Sequence, residues 1–93
     1  GAPGGTLRTP PVAISGSAMT VNADVGGELR VRLLDASGKP LEGLDLADCE
    51  PLKGDSLAHP LRWKKPLGAV GTAPVRIEFV MTDARLYAVD VVP

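Results

Sequence analysis

The sequence predicts an all-β fold: a single antiparallel β-sandwich, jelly-roll-like, of about seven to eight short strands with little or no helix. Three observations predict it. Apolar and polar residues alternate with a period of two in several stretches, most cleanly over residues 28–33. Eleven glycines and nine prolines divide the 93 residues into short pieces, as strands and tight turns require. No stretch sustains the 3.6-residue period of an amphipathic helix.

The central element is residues 28–34. Leu29, Val31 and Leu33 share one face, and Glu28, Arg30 and Arg32 share the other, the pattern of a strand with one buried and one wet face. Gly26-Gly27 bounds it on one side and Asp35, Ser37 and Gly38 on the other, all residues that favour turns. Upstream, residues 7–9 and 12–15 read as short extended pieces separated by Pro10-Pro11, which cannot donate to a ladder. Gly16-Ser17 reads as a turn. Residues 18–25 alternate again, with Met19, Val21 and Ala23 on one face, and Gly26-Gly27 is expected to close a hairpin into the central strand.

Beyond Pro40 the pattern weakens. Residues 41–60 read as a long loop with at most one short strand near Leu44, because Pro51, Pro60 and Pro66 exclude a long helix. Residues 61–64 read as a short strand carrying Trp63, and residues 67–73 as a turn that includes at most one helical turn. Residues 74–81 form the second clear strand, with Val75, Ile77 and Phe79 inward. Thr82-Asp83 is expected to turn the chain into a last strand, residues 85–92, with Tyr87, Val89 and Val91 inward. The expected core joins these residues to Leu29, Val31 and Leu33.

Composition bounds the function. Ninety-three residues make one domain: residues 1–5 read as a flexible segment of the kind left by cloning, and residues 6–93 as the β-sandwich. With one Phe, one Trp and one Tyr, the core must consist mainly of Val, Leu, Ile and Met. A net charge of −1 with both signs scattered excludes the basic stripe of a nucleic-acid binder. No apolar run approaches the roughly 20 residues of a membrane helix. No signal peptide is read in this segment. One cysteine, Cys49, excludes an intrachain disulfide and a cysteine-rich metal site; it reads as a small buried apolar residue.

Candidate chemistry is sparse. Asp45, Asp48, Glu50 and Asp55 offer oxygen ligands of the type calcium takes. Their spacing is not that of an EF-hand, and a solvated acidic loop is the favoured explanation, so no cofactor is expected beyond this calcium candidate. His59 lacks the partners of a zinc site or a catalytic triad and reads as an exposed loop histidine. Trp63, beside Arg62, Lys64 and Lys65, is the candidate sugar-stacking platform. Sugar surfaces usually carry more aromatics. Alternation with two cationic neighbours turns Trp63 inward, toward Leu29, Val31 and Leu33. No pair of carboxylates stands out for glycoside hydrolysis.

The order of several short motifs carries a resemblance. Asn22, Gly27-Glu28-Leu29-Arg30-Val31, Leu34-Asp35-Ala36-Ser37-Gly38-Lys39-Pro40 and Gly43 are followed by Asp48-Cys49, Gly54-Asp55 and Trp63. Pro74-Val75-Arg76-Ile77-Glu78-Phe79 and Asp83-Ala84-Arg85-Leu86-Tyr87-Ala88 complete the set. Together, over residues 6–92, they resemble the C-terminal β-sandwich of five-bladed propeller proteins related to family 32 and family 43 glycoside hydrolases and to sialidase-like proteins. Residues 64–73 depart from the family pattern, being shorter and lacking its Asp. The resemblance implies a non-catalytic accessory module, secreted or periplasmic, that packs against and supports the catalytic propeller of its own parent chain. The alternative it implies is a carbohydrate-binding module that holds a polysaccharide near the enzyme. Neither nucleic acid nor a membrane is an expected partner, and no catalytic residue is expected in this chain.

Overall fold

The computed structural model describes residues 4–14, 18–71 and 73–92. Among the described residues the chain is all-β, with four strands: β1 (Gly4–Arg8), β2 (Ala18–Asp35), β3 (Leu52–Pro60) and β4 (Val75–Val92). They form one antiparallel sheet in the order β1-β4-β2-β3. Two short 3-10 helices, Leu46–Asp48 and Leu67–Val70, lie in the connections. Gly4 and Gly5, expected in a flexible terminal segment, begin β1; residues 1–3 and the expected Gly16-Ser17 turn lie outside the described residues.

The sheet has fewer strands than expected because two anticipated turns are not turns. Gly26-Gly27 does not close a hairpin, and Thr82-Asp83 does not reverse the chain. Residues 18–35 and 75–92 instead run past these points as two 18-residue strands paired along their whole length. A straight strand of that length would span about 60 Å, whereas the molecule's longest dimension is 37 Å. Both strands must therefore bend.

The ladder shows where. Val25 pairs with Ala84 and Glu28 with Thr82, so two glycines of β2 oppose Asp83 alone. This two-for-one bulge kinks and twists the pair. A side chain on Gly27 would collide with the Thr82 carbonyl oxygen, and Asp83 takes a left-handed φ of 50°. The two halves of the bent pair carry different third strands: β1 pairs with β4 over residues 78–82, and β3 pairs with β2 over residues 20–29.

Inward residues of both halves share one cluster. Met19, Val21, Ala23, Val25, Leu29, Val31, Leu33, Val75, Ile77 and Phe79 are all buried in it. Of the expected core, Val89 is only partly buried against this cluster, and two members are exposed. Tyr87 is 61% exposed and Val91 is 39% exposed. Asn22 pairs with Ala88 and Ala23 with Leu86, which leaves Tyr87 as an extra residue bulged out of β4. Each bulge changes which residues of β4 face inward. The inward set passes from Phe79 and Met81 to Ala84 and Leu86, then to Val89 opposite Val21.

β3 occupies much of the expected loop. It has Gly54, Asp55, Ser56 and Pro60 in nine residues, and only Leu52 and His59 are buried, so it lacks the alternation of a half-buried strand. Residues 61–64 are not a strand, although Leu61 N–H still bonds the Met19 carbonyl (3.0 Å) and Glu50 N–H the Arg62 carbonyl (2.9 Å).

Candidate functional site

Trp63 lies at the edge of β2 and is half-buried against the core. Its indole N–H donates to the Val31 carbonyl at 2.8 Å. The N–H of the same Val31 points to Cys49 Sγ at 3.5 Å. Neighbouring positions on this edge are satisfied by backbone: Leu33 exchanges hydrogen bonds with Leu41 and Leu44, and Asp35 N–H bonds the Lys39 carbonyl. Val31 thus sits at a gap that backbone leaves and two side chains fill. Buried peptide groups need partners, and Trp63 and Cys49 supply them.

Trp63 also lines an open groove of about 510 Å³ with Arg62, Lys65, Glu50, Thr20 and Pro60 among its walls. Lys64, grouped with Trp63 and Arg62 in the candidate sugar site, is not part of that groove; its Nζ lies 3.7 Å from Asp48.

The acidic candidates are dispersed. Asp45 caps the first 3-10 helix, accepting Leu46 N–H at 2.7 Å, while Asp48 accepts Asp45 N–H at 3.2 Å. Asp45 also pairs with Arg32 at 3.4 Å. Glu50 is exposed on the way to β3, and Asp55 is exposed within β3, paired with Asp24. Among the described residues no group of three or more His, Cys, Asp or Glu side chains comes together in a way that could hold a metal ion.

His59 is not an exposed loop residue. It lies in β3, 7% exposed, and its Nε2 is 3.0 Å from the Ala23 carbonyl. A carbonyl only accepts, so this nitrogen carries the proton. The bulge in β3 between its pairings to Val21 and Ala23 turns the ring under the sheet. Cys49 is 4% exposed, as expected for a small apolar residue, and burial pushes its thiol above the ordinary range, against a weaker opposing effect of Val31 N–H.

Sequence reasoning missed two features. Glu78, which alternation with Val75, Ile77 and Phe79 turns outward, is 3% exposed. One carboxylate oxygen takes Arg8 Nε–H at 2.8 Å and the other takes Arg32 Nε–H at 2.7 Å. The three residues stand abreast on β1, β4 and β2 in direct register. Charges at intervals of two along separate strands hint at such a row, but only the register assembles it. The second feature is apolar. Leu57 on β3 and Tyr87 on β4 are 79% and 61% exposed and flank Asn22 of β2 from either side. Both occupy bulges, which alternation cannot foresee.

In comparisons with known proteins, the chain matches no family model, no curated protein and no solved structure.

Proposed function

We propose that the chain is a non-catalytic accessory module of a larger glycoside hydrolase-like protein, secreted or periplasmic, that packs against the catalytic propeller of its parent chain. In this reading the bent sheet is a jelly-roll-like sandwich in which the halves of β2 and β4 act as separate strands. The propeller, the parent and the location rest on the motif resemblance. Docking as the activity rests on one structural observation: Leu57 and Tyr87 stand exposed together beside Asn22 on one sheet face. The groups with chemical potential have structural tasks instead. Trp63 and Cys49 cap Val31, Asp45 and Asp48 cap a 3-10 helix, and His59 bonds Ala23.

The test is calorimetric titration of the parent's separated propeller with this chain, and with a Leu57→Ser, Tyr87→Ser double variant. The reading expects one-to-one binding that the double variant loses. Binding that survives both substitutions, or turnover of a chromogenic glycoside by this chain alone, overturns it.

The groove beside Trp63 favours a second reading, the carbohydrate-binding module. Its open mouth, the half-buried indole and Arg62 suit a polar, ring-shaped ligand. A glycan array followed by titration of any hit with Arg62→Ala decides this reading: a hit whose affinity falls in the variant supports it, and an array without hits ends it.

A further inference from the structure

Among the described residues, the second half of β4 has a free edge. β1 pairs with β4 only as far as Thr82, and among the described residues no strand follows along residues 84–92 on that side. Unpaired strand edges are templates for further pairing, and proteins usually guard them with Pro, Lys, bulges or irregular glycines. The other two edges carry such guards. β3 has Lys53, Gly54 at φ 91° and Pro60. β1 has Gly5 at φ 128° and leads into Pro10-Pro11. Residues 84–92 contain no Pro, Gly or Lys; their only charged residues are Arg85 and Asp90, and their one irregularity is the bulge at Tyr87.

Those two charges are placed for self-recognition. Arg85 lies opposite Asp24, and Asp90 opposite Thr20, on the outer face. Leu86 lies opposite Ala23, and Val89 opposite Val21, on the inner face. Residues 85 and 90 would fall on opposite faces of a regular strand. The Tyr87 bulge brings them to the same one.

We infer that the edge formed by residues 84–91 pairs with the same edge of a second copy, about a two-fold axis between Tyr87 and Ala88. In that antiparallel register Arg85 faces Asp90 of the second copy, Leu86 faces Val89, and Ala84 faces Val91, which is otherwise 39% exposed. Two-fold symmetry makes each pairing occur twice. The result is a continuous sheet across both copies, joined by backbone hydrogen bonds, with side chains fixing the register. Charge complementarity selects this occupant: a register displaced by one or more pairs loses both Arg–Asp pairs. The inference is independent of the accessory-module reading, because it uses the edge of the sheet and leaves its outer face open.

The experiment is sedimentation equilibrium of the chain and of two charge reversals, Arg85→Asp and Asp90→Arg. The interface is small, so dimerisation with a dissociation constant of about 10–100 µM is expected. Either reversal sets like charges opposite each other twice and should weaken self-association by roughly tenfold or more. Mixed in equal amounts, the two variants regain both pairs. One variant then carries acid at both positions and the other carries base at both, so opposite charges face each other at each end of the interface. The mixture should associate as the unaltered chain does. Both positions are exposed, and far-UV circular dichroism of each variant verifies that it folds. A chain that remains monomeric at roughly 500 µM, five or more times the weakest expected constant, overturns the inference. So does a dimer that the reversals leave intact, or a failure of the mixed variants to associate.

Discussion

Glu78 stands directly opposite Arg32 in the β2–β4 ladder and takes its guanidinium on one carboxylate oxygen, leaving the other for Arg8. Three strands are thereby cross-linked by one buried anion. Glu78→Gln keeps the volume but removes the charge, and its amide nitrogen turns a donor toward one of the arginines. Hydrogen bonds to charged groups contribute about 1.5–3 kcal/mol, and a loss of that order is expected in urea melts. Arg8→Ala should cost less, because the Arg8 side chain is 45% exposed and Glu78 keeps its hydrogen bond from Arg32. A Glu78→Gln variant as stable as the unaltered chain would contradict the structural role of this row.

The same row predicts how stability responds to acid. Burial pushes the Glu78 carboxyl up, but the hydrogen bonds from Arg8 and Arg32, and their charges, outweigh it and hold the group below its ordinary 4.5. The unfolded chain therefore takes up the proton at higher pH than the folded one. Stabilisation is complete above pH 4.5 and is lost as the pH falls through the lower folded value. Asp35, held down by Ser37 and Lys39, acts in the same direction. Urea midpoints at a series of pH values below 6 should fall with acid, and fall less steeply for Glu78→Gln. Parallel declines for the two chains would assign the acid sensitivity elsewhere.

The bend in β2 and β4 depends on Gly27. A Cβ there would strike the Thr82 carbonyl oxygen and lie 3.0 Å from its carbon, both backbone atoms. Gly26 differs, since its Cβ would meet the Asp83 side chain at 2.7 Å, and that carboxylate can swing away. Overpacking against an unyielding neighbour costs about 1–3 kcal/mol. Gly27→Ala should fall in that range, and Gly26→Ala should cost distinctly less. Thermal melts of the two variants measure the difference, and equal losses would mean that the corner does not rest on the Gly27–Thr82 approach.

The unevenness of what the sequence reveals has a physical origin. Residues 28–33 and 74–81 are regular strand, so alternation alone identifies Leu29, Val31, Leu33, Val75, Ile77 and Phe79 as buried, and all six are. Downstream of Asp83 the same reasoning misplaces Tyr87, because one bulge in each long strand moves the pattern by a residue without any change of composition. Gly26-Gly27 suits a hairpin turn and a bulge equally well, and only the pairing partner decides between them. β3 leaves almost no trace, since an edge strand with two buried residues needs no alternation. At the candidate site, Trp63 is conspicuous as the sole tryptophan, but its partner is a backbone carbonyl 32 positions away, which no side-chain pattern announces.

That partner separates the structural role of Trp63 from a sugar-stacking role. The indole packs on the core through part of its surface and donates one hydrogen bond to the edge of β2. Trp63→Phe preserves most of the packing and removes the donor. It leaves the Val31 carbonyl without this partner, which costs about 1–3 kcal/mol for a buried group. Trp63→Ala also loses the packing. Full burial of a large aromatic would make that about 3–5 kcal/mol, and the half-exposed position of Trp63 puts it near the lower end. A domain stable by about 5–15 kcal/mol would survive the first change and be strained by the second. Urea melts should therefore order the chains as unaltered, Phe, Ala, with a resolvable step at each substitution. A purely ligand-facing tryptophan would give neither step. If Trp63→Phe were neutral and Trp63→Ala cost less than about 1 kcal/mol, as exposed positions do, the indole would be free for a ligand and Val31 would have to find its partner elsewhere.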